Sequence, residues 1–193
     1  MIEIKSFFSN RAKNWDKIHK HNDFTTAFKV SIIAKKNKGK RVLDVGCGSG
    51  IMIPFLLAQF QDVHALDISP EMTRIAAKKY PLCAVKTFDF EKKSFYPPAY
   101  FDSIVIYNAF PHFKKPELVF KNAFYLLKKN GILAIAHSLV RKKLNLTHKR
   151  AGGIVGNHIL ISNKKMKSLL KKTGFKRIKI IEKKGFILTA RKF

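Results

Sequence analysis

The sequence predicts a doubly wound α/β fold with a mostly parallel seven-stranded sheet and an antiparallel last strand. Three observations carry this. The apolar run Val42–Val45 feeds into glycines at alternate positions, Gly46, Gly48 and Gly50, and a helical pattern follows at once. Further apolar runs, Val63–Asp67 and Phe101–Tyr107 among them, alternate with helix-patterned segments, as the crossovers of a parallel sheet require. The chain closes on two β-type runs whose short link, Glu182–Lys183–Lys184–Gly185, permits only an antiparallel pair.

Taken in order, a short amphipathic helix carrying Trp15 is expected to start at Ser9 or Asn10. A second helix, from about Thr25 to Lys36, shows Phe24, Phe28, Ile32 and Ile33 on one face. The segment between them, His19 to Asp23, is polar. After the first strand a helix is expected over Ile51–Gln61, then the strand Val63–Asp67. Ser69–Pro70–Glu71 follows as N-cap, first-turn proline and dipole-matched acid of a helix to about Lys79. A third strand, Leu82–Thr87, leads into Phe88–Asp89–Phe90, and the proline-rich connection Glu91–Tyr100 is too short for a crossover helix. The fourth strand is Phe101–Tyr107. A helix opening at Lys115–Pro116–Glu117 ends near Lys129–Asn130–Gly131, and Ile132–Ala136 is the fifth strand. A long loop spans His137 to about Leu160. Ser162 caps a last helix that Gly174 stops, before the strands Arg177–Ile181 and Gly185–Arg191.

At 193 residues, 46% of them hydrophobic, the chain suits one globular domain with a core of its own. Its two cysteines, Cys47 and Cys83, imply no disulfide framework and fit a reducing compartment. Without a signal-type N-terminus or a run long enough to span a bilayer, the expectation is a cytoplasmic protein. The formal net charge is +27, and residues 111–193 hold 22 basic residues against only Glu117 and Glu182. Such a surface attracts polyanions, including nucleic acid. The excess is also 32 Lys against 7 Arg, which reads equally as compositional bias over a solvated surface.

A strand ending in a glycine turn that opens a helix is where nucleotide-like ligands sit in such folds. The dinucleotide fingerprint G-x-G-x-x-G is not met, because the third glycine comes one residue early and position 51 is Ile. Asp67 lies twenty-one residues past Gly46, where a carboxylate can accept both hydroxyls of a ribose. The run Val42–Leu43–Asp44–Val45–Gly46–Cys47–Gly48–Ser49–Gly50 resembles the first motif of class I S-adenosylmethionine-dependent methyltransferases. Asp67–Ile68–Ser69–Pro70–Glu71–Met72 is similar to that family's second motif, and Asp89–Phe90 looks like its adenine-binding pair.

The resemblance covers about residues 40–137 with specific motifs. It implies the Rossmann-like methyltransferase fold, with S-adenosylmethionine held by Asp44, Gly46, Cys47, Gly48, Gly50, Asp67, Ile68, Met72, Asp89, Phe90 and Asn108. It further implies an N-terminal helical lid (1–39), a cofactor-binding core (40–137), and a substrate loop with C-terminal helix and hairpin (138–193). Trp15–Asp16 reads as part of the lid or as a simple anchor for its helix.

Nucleobase amine methylases of the family carry an Asn/Asp-Pro-Pro-aromatic sequence after the fourth strand. Asn108–Ala109–Phe110–Pro111–His112–Phe113 departs from it and resembles the small-molecule, ubiquinone/menaquinone methyltransferase-like branch. His112, His137, His148 and His158 are the candidate catalytic residues, as bases or substrate orienters, and no metal is assigned. The expected activity is methyl transfer to a small molecule, anionic or bearing a thiol or hydroxyl. The rivals are an RNA methyltransferase using the basic C-terminal face, a nicotinamide oxidoreductase, and a noncatalytic cofactor-binding fold.

Overall fold

A computed structural model describes residues 2–18 and 24–193 of the chain; the whole of the polar 19–23 segment lies outside the described residues. Helices α1 (Ile2–Arg11) and α2 (Trp15–Ile18) precede α3 (Thr25–Ala34). Ser9 and Asn10, expected at the start of the first helix, lie inside it. The helix begins earlier because Ile4 and Phe8, one turn apart, both face a cavity and anchor it there. In α3 the stripe Phe24, Phe28 and Ile32 is exposed, and the packed face is Ala27, Val30, Ser31 and Ala34. Small residues let that backbone approach the sheet closely enough for Ser103 Oγ to donate to the Ala34 carbonyl at 2.6 Å.

Strands β1 (Arg41–Val45), β2 (Asp62–Asp67), β3 (Ala84–Thr87), β4 (Phe101–Tyr107) and β5 (Leu127–His137) run parallel. With β6 (Lys176–Glu182) and β7 (Phe186–Arg191) they form one sheet in the order β3-β2-β1-β4-β5-β7-β6, in which β7 is antiparallel to both its neighbours. Alternate residues of the strands feed two cores, as the pleat requires. Leu43, Ile104, Ile106, Leu133 and Ile135 join one cluster with Phe120, Met166 and Leu170. Val42, Val105, Ala134 and Ala136 join the other with Val30, Leu56 and Ala76.

Helices α4 (Ile53–Leu57), α5 (Pro70–Lys79), α6 (Pro116–Leu126), α7 (Arg141–Ala151), α8 (Gly153–Gly156) and α9 (Asn163–Thr173) complete the chain. Ser69 caps α5, its Oγ accepting from the Met72 N–H, and Ser162 caps α9 in the same way through the Lys165 N–H. Three expectations change. The helix after β1 keeps only Ile53–Leu57, because the chain leaves it in time for the Gln61 and Asp62 N–H groups to reach the Lys40 carbonyl, both at 3.1 Å. Helix α6 stops at Leu126, before Asn130–Gly131. Leu127 pairs with Phe101, and Lys128 Nζ binds the Asp102 carboxylate at 3.0 and 3.1 Å, which draws those residues into β5. The expected loop 137–160 contains α7 and α8; only Leu144 of α7 is buried, too little apolar periodicity to signal a helix in sequence.

Candidate active site

Strand order reverses between β1 and β4, and at that switch point the carboxyl ends of the strands open into a cavity of about 400 Å³. The glycine turn forms its floor. The Gly46 and Cys47 N–H groups both donate to the Leu66 carbonyl, at 2.8 and 3.0 Å. At Gly46, φ is +74° and a Cβ would stand 2.5 Å from that of Ala109, so only glycine lets the turn lie against the end of β4. At Gly48, φ is +53° and a Cβ would point across the cavity toward Trp15 Nε1, 3.8 Å away.

Asp67, at the end of β2, ties this turn to α5. Its Oδ2 accepts the Gly48 N–H at 2.8 Å and its Oδ1 the Ser69 N–H at 2.9 Å. Burial pushes its pKa up, while the N–H groups of Ser69, Gly48 and Ile68 pull against that. Each oxygen has a further lone pair to offer and Asp67 lines the cavity, which suits the hydroxyls of a ribose. Beyond β3, Asp89 Oδ1 accepts the Glu91 N–H at 3.0 Å. Its buried Oδ2 has no partner among the described residues, and Phe88 and Phe90 flank it in the cavity wall. An orphaned acceptor between apolar rings fits an adenine amine. Cys47, Ile68, Met72 and Asn108 also line the cavity.

Asp44 and Gly50 stand behind the turn and do not line the cavity. A Cβ on Gly50 would meet the Tyr80 ring at 2.6 Å, so this glycine serves packing. Asp44 is fully buried with both carboxyl oxygens unpartnered among the described residues. Burial, helped by the Asp67 charge, pushes its pKa up to about 8.

The opposite end of the cavity is built by β4, β5 and α7. Asn108 leaves β4 with φ +53°. Its N–H donates to the Ala136 carbonyl at 2.8 Å and its Oδ1 accepts the Ser138 N–H at 2.9 Å, which locks the two strand ends together. His112 follows in the turn Phe110–His112, its ring edge-on to Phe8 at 5.1 Å and stacked on His148 at 5.3 Å. His112 Nδ1 and His158 Nδ1 share a hydrogen bond of 3.0 Å, and the His148 ring bonds the His158 carbonyl. His137 closes β5 beneath them, buried, with both ring nitrogens unpartnered among the described residues.

All four histidines therefore converge. His112, His137 and His148 line the cavity. His158 lines an adjoining one of about 290 Å³ that shares His112, Phe113 and Lys114 with it. Burial holds His112 and His137 down at about 3, with the neighbouring histidines adding to the effect, and it lowers His158 as well. Those rings are neutral at working pH. Among the described residues no group of three or more His, Cys, Asp or Glu has an arrangement that could hold a metal ion.

The N-terminal helices close the remaining side with Ile4, Phe8 and Trp15. Asp16 accepts from Ser49 Oγ at 2.6 Å and pairs with Lys79, which binds this cover to the glycine turn and to α5. Sequence reading did not assign Phe8, Tyr107, Phe113, Leu144 or Thr147 to the site, although all line it. The spacing Leu144–Thr147–His148 (i, i+3, i+4) was the available sign that His148 sits on a helix face.

A sheet of this order, with a glycine turn at its switch point and carboxylates at the next two strand ends, defines the class I S-adenosylmethionine-dependent methyltransferase fold. The family described as a methyltransferase domain matches residues 18–180, and the chain belongs to it, with S-adenosylmethionine as its cofactor. A ubiquinone biosynthesis O-methyltransferase of Xylella fastidiosa is 31% identical over 107 residues, 51% of this chain and 42% of the relative. The chain thus spans less than half the length of that curated relative. An S-adenosylmethionine-dependent methyltransferase from Thermotoga maritima superposes with a TM-score of 0.74 at 20% identity, over 100% of both chains. A phosphoethanolamine N-methyltransferase of Haemonchus contortus, solved with S-adenosylhomocysteine, gives 0.70 at 19% identity over 90% of this chain and 43% of that one. Among the described residues no helix is long and apolar enough to cross a membrane.

Proposed function

We propose that this chain transfers a methyl group from S-adenosylmethionine to a small-molecule acceptor bearing a hydroxyl or thiol. One observation carries the reading: a single cavity has the glycine turn with Asp67 and Asp89 at one end and His112, His137 and His148 at the other, of which burial keeps His112 and His137 neutral. When bound, S-adenosylmethionine supplies an electrophilic methyl on a sulfonium, so the task left to the protein is alignment and exclusion of water.

The residues divide that task. Asp67 accepts the ribose hydroxyls, Asp89 Oδ2 the adenine amine, and Gly46 and Gly48 leave the space between them open. Asn108 bounds the reacting end by holding β4 to β5. His137 offers the acceptor one bare lone pair and one N–H, so it accepts a hydrogen bond from the acceptor's O–H or S–H and fixes the direction of its nucleophilic lone pair, and the proton leaves to water as the methyl is transferred. His112, held by its hydrogen bond to His158, lines the same end and orients the acceptor. Helices α1 and α2 act as the lid that excludes water.

Calorimetric titration with S-adenosylmethionine, S-adenosylhomocysteine and NADH tests the cofactor half. Micromolar binding of the two sulfur compounds with no response to NADH supports it, and the reverse pattern overturns it. A panel of phenols, thiols and carboxylates, followed by release of S-adenosylhomocysteine, tests the acceptor half. Turnover confined to carboxylates overturns it.

A further inference from the structure

We infer that the outward face of α7 is a docking face for an anionic lipid surface. Its inward face, Leu144 and His148, belongs to the cavity wall. On the outward face Leu146 is 45% exposed. Lys142 and Lys143 lie one turn before it and Lys149 and Arg150 one turn after, so a single leucine stands inside a ring of four exposed cations. Among the described residues none of the four cations is in an ion pair. The chain has no acidic residue between Glu117 and Glu182 that could neutralise them.

The apolar character continues past the helix. Gly152 and Gly153 both have positive φ, with nothing within 4 Å of where a Cβ would stand, and beyond them Ile154 and Ile159 are exposed. Aliphatic side chains set among lysines match the boundary between lipid headgroups and acyl chains. There the leucine and isoleucines enter the apolar layer, while the ammonium groups remain at the phosphates. A nucleic acid would use the cations but not the aliphatic residues, and among the described residues this face carries no exposed aromatic ring on which a base could stack. Docking in this way brings the acceptor end of the cavity, on the other side of the same helix, close to the bilayer.

The test is co-sedimentation of the full chain with phosphatidylcholine vesicles, with and without phosphatidylglycerol, at low and high salt. The variants are Leu146→Glu and the triple change Lys142→Gln, Lys143→Gln, Lys149→Gln. Binding is expected only to the phosphatidylglycerol vesicles. It should fall about tenfold or more in Leu146→Glu, the effect of losing one buried leucine, and lose its salt dependence in the triple variant. S-adenosylmethionine affinity by calorimetry should be unchanged in both, which separates this question from the proposed activity. No vesicle binding, or phosphatidylglycerol binding that Leu146→Glu leaves intact and a short single-stranded RNA displaces, overturns the proposal; the latter result assigns the face to nucleic acid.

Discussion

Asp44 offers the sharpest test of the physical reading, because its carboxyl is buried beneath the glycine turn without a partner among the described residues. Burial raises its pKa from 3.8 to about 8. Between those two values the folded chain holds one proton that the unfolded chain has released. Linkage then sets the sign: the contribution to stability is fully present below pH 3.8 and is lost as pH rises through 8. The slope is about 1.4 kcal/mol per pH unit, so several kcal/mol disappears between pH 5 and pH 8. Asp44→Asn replaces a neutral acid by a near-isosteric amide that does not titrate. Any cost of placing the amide there is the same at every pH, and the buried histidines titrate alike in both proteins. Urea unfolding of wild type and variant at several pH values from 5 to 8 isolates the term. Relative to Asp44→Asn, the wild type should lose several kcal/mol across that range, and parallel stability curves would refute the buried, protonated Asp44.

Three further outcomes are expected. Gly48→Val, whose side chain would project toward Trp15, should abolish S-adenosylmethionine binding while far-UV circular dichroism stays native; unchanged affinity by calorimetry removes the turn from the site. Asp67→Asn should weaken cofactor binding by about 1.5–3 kcal/mol, the range for hydrogen bonds to a charged group, and also lower thermal stability, because the carboxylate accepts the Gly48 and Ser69 N–H groups. A variant with altered affinity and unchanged stability would contradict that double attachment. His137→Phe should lower kcat by about a hundredfold or more with cofactor affinity intact. The wild-type ring, held at about 3, subtracts stability as pH falls below its unfolded value near 6.5, so the Phe variant should gain relative stability from pH 6.5 toward pH 4; a pH-independent difference places His137 in an ordinary environment.

The sequence alone determined the fold class and where the glycine turn and the strand-end acids lie. Both are encoded locally: a glycine turn must follow its strand directly, and an acid that ends a strand of a parallel sheet is carried to the same edge as every other strand end. Val42–Gly50, Asp67 and Asp89 could be placed for that reason before any coordinates existed. The caps at Ser69 and Ser162 were legible in the same way, since a cap acts across three residues.

Tertiary structure decided what depends on contacts between distant segments. It turned the aromatic stripe of α3 outward, because small residues were needed against the sheet. It ended α6 early, where Lys128 found Asp102, and wound residues 141–156 into helices that two buried residues, Leu144 and Val155, could not announce. It also set Asp44 and Gly50 behind the turn, since a glycine motif specifies a backbone path but not which of its residues meets the ligand. The convergence of His112, His137, His148 and His158 was expected from their places near strand ends. The neutral state of His112 and His137 was not, because it follows from burial, which three chain segments produce only when they are packed together.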